Sequence, residues 1–131
     1  MSRIQLTFLA LIAVQAVHSF EEYRGRLYEV FAPARMVSAL ISDDLDRGFL
    51  IGNVLLVAFG LWCALWPMRR GWRVAALLGW LWVGIELING TVHSLLALRA
   101  GGYFPGVATA PVLFALALYL ASQLRANAEP P

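Results

Sequence analysis

Residues 74–98 read VAALLGWLWVGIELINGTVHSLLAL, an apolar run whose interior carries Glu86, Asn89 and His93. At about 1.5 Å per residue, a helix of that length crosses a hydrocarbon core of roughly 30 Å. Backbone groups in lipid must bond to one another within the segment, so the run predicts a helix. An acid and a histidine on one such helix are costly in hydrocarbon and call for a partner or a role.

Three further apolar runs flank this one, at Ile4–Phe20, Phe49–Trp66 and Val107–Leu124. The chain is 60% hydrophobic and 14% charged over 131 residues, with a mean hydropathy of +0.70. A soluble domain of this size has too much surface to hide so much apolar side chain. No alternating pattern of the barrel type is present. The fold class predicted is all-α, an integral membrane four-helix bundle spanning residues 1–125, with residues 126–131 as a disordered tail. All ten cations are arginine and form no basic tract, which argues against nucleic acid and for membrane flanks. The lone Cys63 excludes an internal disulfide.

The connections differ in length. Pro67, Arg69, Arg70 and Arg73 lie in a tight link, with Trp62, Trp66 and Trp72 around it as an interfacial belt. Gly101, Gly102, Pro105 and Gly106 turn the chain into the last run. The long connection Glu21–Gly48 extends the first helix toward Phe31, breaks at Pro33 and leaves room for a short interfacial helix. Ser42 or Asp43 then caps the second run. A signal-peptide reading competes at the N-terminus, where Arg3 precedes an apolar run and Val14 and Ala16 are small-residue positions. The polar cluster that follows directly favours a retained helix. The arginine count across four crossings is a tie. The three arginines of the tight link, opposite an acid-rich loop, favour both termini in the cytoplasm of a bacterial inner membrane.

The chemistry-bearing residues fall on two faces. His18 with Glu21 and Glu22 closes the first run, and Glu86, Asn89 and His93 share a face of the third, because steps of three or four keep helical side chains together. The first and third helices run in the same direction. Counted from each start, the two sets lie about 21–27 Å and 18–28 Å along. They therefore meet at one depth, which predicts that the two helices are neighbours with these faces opposed. His18, Glu21, Glu22, Glu86 and His93 are candidate metal ligands. Imidazole and carboxylate suit zinc, iron or manganese, as one ion or two. Glu22 and Asn89 are candidates for catalysis, with Asn89 able to orient a ligand or touch substrate. Asn53, Tyr103, Thr109 and Arg99 are candidates for substrate binding on the same membrane side. Other arginines there, Arg24, Arg26 and Arg35, are candidates for holding an anionic head.

The bland readings stand beside these. A trio at a helix end can simply be wetted by headgroups. Asp43, Asp44 and Asp46 serve helix capping, Pro105 and Gly106 serve a turn, and Gly79, Gly84 and Gly90 allow close helix packing. Glu86, near mid-membrane, is the residue a bland reading explains least.

His18-Ser19-Phe20-Glu21-Glu22 resembles the defining motif of the HXXEE family of small bacterial membrane proteins. Residues 86–93, ELINGTVH, are similar to its second block, and residues 103–110, YFPGVATA, to its third. The resemblance implies a membrane-embedded domain of enzymatic character but supplies no substrate.

A metal-dependent membrane enzyme acting on a lipid-soluble or amphiphilic molecule is the leading expectation, hydrolytic or oxidative. Its partners would be membrane lipid and that small molecule, with a homodimer also open. A proton or cation transporter is the alternative, since acid–histidine chains pass protons in pumps. A non-catalytic accessory subunit, in which the polar set only joins helices, is the third.

Overall fold

The computed structural model describes residues 1–128, and all regular structure among them is helical. Helix α1, Arg3–Arg24, starts with a capping box: the Ser2 hydroxyl accepts from the Gln5 amide while the Gln5 side chain accepts from the Ser2 amide. It ends at Gly25, which packs so closely on Pro105 that a Cβ there would lie 2.6 Å from the proline ring. Arg26 then adopts φ 54°, a left-handed conformation that turns the chain into the short helix α2, Leu27–Val30. The first helix therefore does not run on toward Phe31. Pro33 does not break a helix either; it sits in the first turn of α3, Ala32–Ile41, where its missing N–H costs nothing.

Helix α4, Leu45–Cys63, is capped by Asp44 rather than Ser42 or Asp43, its carboxylate accepting from the Arg47 amide. The helix continues through a wider turn at Ala64–Met68 that contains Pro67, a residue that cannot donate to the helical ladder. Trp62 and Trp72 meet edge to face beyond it, and Arg70 lies over Trp66. Helix α5 is Ala75–Ala100, closed by Gly101 at φ 71°. Helix α6 is Ala110–Ala128. It begins three residues later than the apolar run and continues past residue 125; the rest of the expected tail, residues 129–131, lies outside the described residues.

Among the described residues, three helical stretches are long and apolar enough to cross a membrane: Arg3–Arg24, Leu45–Met68 and Ala75–Ala100. The fourth run is not among them. Its helix starts only at Ala110, and its last turns carry Gln123, Arg125 and Asn127. With α2 and α3 added, the described chain has six helices rather than a plain four.

Helix α6 packs along both α5 and α1, α1 also packs on α4, and α3 packs on α4. The α5–α6 contact is close because Gly90 faces Phe114 and the Ala110 carbonyl, and Gly79 faces Leu124 and Met68. Gly84 meets nothing within 4 Å, so packing does not explain it. Gly48 packs on the Ser38 backbone and lets α3 lie flat on α4. Phe8, Leu11 and Ile12 of α1 form the dry core with Trp82, Val83, Ala117 and Leu120. Helices α1 and α5 are not close backbone neighbours, contrary to the expectation from the sequence; each packs on α6 instead. Their side chains nonetheless meet, through Trp82 against Phe8 at one level and polar groups at another.

Candidate metal centre

The last three turns of α1 and the fourth to sixth turns of α5 put one polar stripe each toward the bundle interior. On α1 the stripe is Gln15, His18, Ser19 and Glu22, spaced as one helix face, and all four are buried. On α5 it is Glu86, Asn89 and His93; Glu86 and His93 are buried and Asn89 is partly so. The opposed faces expected from the sequence do meet. The rings of His18 and His93 are edge to face with centroids 4.8 Å apart.

Three donor atoms converge. Oε1 of Glu22 lies 2.9 Å from Nε2 of His93 and 3.2 Å from Nε2 of His18. One donor atom from each of the three residues lies within 4.8 Å of the other two. His18 is 0% and His93 3% exposed, so any charge on this group is held away from water.

The far side of each imidazole decides its tautomer. Nδ1 of His93 lies 2.7 Å from the Pro105 carbonyl, which can only accept, so that nitrogen carries a proton. Nδ1 of His18 lies 2.7 Å from the Thr109 hydroxyl. That hydroxyl donates to Oε2 of Glu21 at 2.6 Å, so it accepts from His18, and His18 Nδ1 is protonated as well. In neutral rings both Nε2 atoms then present bare lone pairs to one carboxylate. A proton on His93 would repair one contact, and His18 Nε2 would still lack a hydrogen-bond partner. A cation between the three atoms satisfies them all, and outward N–H bonds of this kind are how metal-binding histidines are oriented.

Gly106 seals the other side. Its φ is 93°, and a Cβ there would fall 2.6 Å from His93 Nδ1 and 2.8 Å from His18 Cε1. Turn chemistry alone does not account for it; the loop backbone presses on both rings, and only glycine fits.

Glu21 is placed differently from its neighbour. Successive helix positions are about 100° apart, so Glu21 and Glu22 cannot face one point. Glu21 accepts from the backbone amides of Ala108 and Thr109, at 2.9 and 3.0 Å, and from the hydroxyls of Thr109 and Tyr103. It thus sits at the N-terminal end of α6, where a negative charge is favoured, and its oxygens are engaged there rather than at the cluster. Partial burial, and then the Glu21 carboxylate, push the Tyr103 phenol upward, which keeps it a donor.

Glu86 is fully buried but is not one of the three converging residues. Asn89 donates to it at 3.2 Å. The Gln15 amide satisfies its neighbours when its nitrogen faces Glu86, at 3.0 and 3.1 Å, and its oxygen accepts from Ser19. A cleft of about 410 Å³ opens from this region between α3 and α4; Glu22, Asn89, His93 and Asn53 all line it. Thr109 stands behind His18, away from the cleft lining, and Tyr103 borders a separate outer groove with Glu21. Arg99 is exposed at the end of α5 and lines neither the cleft nor the cluster. Arg26 pairs with Glu29, and Arg35 bonds the Tyr28 and Glu29 carbonyls, so neither lines the cleft. Asp44 is a cap, and Asp46 accepts from Tyr23 and Tyr28.

Sequence reasoning passed over Gln15, Ser19 and the Pro105 carbonyl. The first two were detectable, since positions 15, 18, 19 and 22 form a helical stripe. The third was not, because a backbone acceptor has no signature in residue type.

A family model described as a protein of unknown function with an HXXEE motif matches residues 9–120. No curated protein and no solved structure matches the chain.

Proposed function

We propose a role for this chain, which belongs to the HXXEE family, as a membrane-embedded metalloenzyme with a single divalent ion held by His18 Nε2, His93 Nε2 and Glu22. The observation that carries it is the pair of buried imidazoles whose Nδ1–H groups bond outward while both Nε2 atoms face one carboxylate oxygen. Two imidazoles and a carboxylate suit zinc, iron or manganese, and three protein donors leave a coordination position open. The ion would supply Lewis-acid activation of a substrate oxygen or of water. Glu86, outside the donor set and tied to Asn89 and Gln15, is read as the buried group that exchanges a proton with the centre. Glu21 and Thr109 hold the His18 ring in its tautomer.

The enzyme is read as integral to the membrane, with α6 as a fourth crossing beside the three longer spans. Helix α6 packs against both α5 and α1, and it exposes Val112, Leu118 and Tyr119. Elemental analysis of protein purified after metal-replete expression tests the centre. About one equivalent of a transition metal is expected, and less than roughly a tenth would refute it.

One observation favours a second reading. The 2.9 Å His93–Glu22 separation is also the length of a charge-assisted hydrogen bond, as a proton relay would need. Proton flux in metal-free proteoliposomes that disappears in Glu86→Gln would select that reading.

A further inference from the structure

Resting on that reading, we propose that the site acts on a single-chain amphiphile, its chain held in the cleft between α3 and α4 and its oxygen-bearing head at Glu22, Asn89 and His93. The walls are apolar, built from Leu27, Phe31, Ala34, Val37, Phe49 and Leu56. The charged or titratable side chains among the lining residues are Glu22 and His93, both at the floor. No arginine lines the cleft, so the ion of the proposed centre, rather than a guanidinium, would hold the oxygen of the head.

The cleft also suits entry from lipid. Its outer wall is α3, whose Met36, Val37 and Leu40 are exposed, Leu40 by 87%. A ten-residue apolar helix is too short to span and lies naturally at an interface. The cleft's volume of about 410 Å³ falls in the range of small-molecule sites. An alkyl chain gains little by leaving lipid for an apolar cleft, so selection rests on shape and on the head rather than on hydrophobicity.

The test uses the full-length protein in phosphatidylcholine nanodiscs, loaded with cobalt as a spectroscopic substitute for the native ion. The probes are acetohydroxamate, which is a head alone, and dodecyl hydroxamate. The readout is the cobalt absorption band. Wild type should respond to both hydroxamates. Val37→Trp, which places bulk in the cleft at an exposed position, should weaken dodecyl hydroxamate at least tenfold and leave acetohydroxamate unchanged. Gly52→Leu is the second variant should the first not fold, with cobalt stoichiometry as the check. Because partitioning into lipid is the same for both proteins, the ratio between them reads the cleft alone. Equal dodecyl hydroxamate binding in both would overturn the cleft assignment. Protein that retains no cobalt would instead overturn the metal centre, and the head placement with it.

Discussion

Helices α1 and α5 each belong to two different interiors. Through Phe8, Leu11, Ile12, Trp82 and Val83 they share a dry core with α6. Farther along the same helices, Gln15, His18, Glu22, Glu86 and His93 build an interior of titratable and amide groups. In the dry half, contacts depend on volume, and glycines such as Gly60, which a Cβ would drive into Ile12 and Trp82, set the spacing. In the polar half each group needs a particular partner, because an unmet donor or charge in hydrocarbon costs far more than a small void. Lipid is as apolar as the dry core and gives helices little reason to associate, so the polar half is where one arrangement is singled out.

The most severe way to break this contrast is to remove the imidazoles. His18→Ala with His93→Ala is expected to lower metal content from about one equivalent to below a tenth, while the dry core preserves helix content by circular dichroism. The converse is Trp82→Ala. It should cost about 3–5 kcal/mol in denaturant unfolding, yet leave metal stoichiometry unchanged under native conditions. Loss of metal in that variant would mean that the two halves form one cooperative unit. Gly106→Ala acts between them. A side chain at φ 93° against both rings should destabilise the protein by about 1–3 kcal/mol and weaken the metal together with the fold.

A finer distinction lies between the adjacent glutamates. Glu22→Gln should abolish metal retention. Glu21→Gln should reduce affinity by only about 10–100-fold in a chelator competition, because it acts through Thr109 and His18. Equal effects would dissolve the division of roles. Smallest of all, Gly84→Ala should be neutral or stabilise by up to about 1 kcal/mol, since nothing lies within 4 Å of the added methyl and the helix gains propensity.

What the sequence determined by itself follows from one-dimensional properties. Run length and hydropathy marked the three long spans, and helical spacing put His18 with Glu22 and Glu86 with His93 at one depth. The tertiary structure decided rotation and long-range partnership. Periodicity gives the angle between residues on a helix but not which angle faces inward, so Glu21 and Glu22 looked equivalent until α6 took the first and the histidines took the second. The fourth run was overextended for a related reason. Val107 and Ala108 are apolar enough for a helix, but the Ala108 amide is bound by Glu21, from 87 residues away. The loop's decisive contributions are the Pro105 carbonyl, a backbone group that every residue carries, and the room that glycine alone leaves at position 106. Their position in space, against the two imidazoles, makes them part of the site.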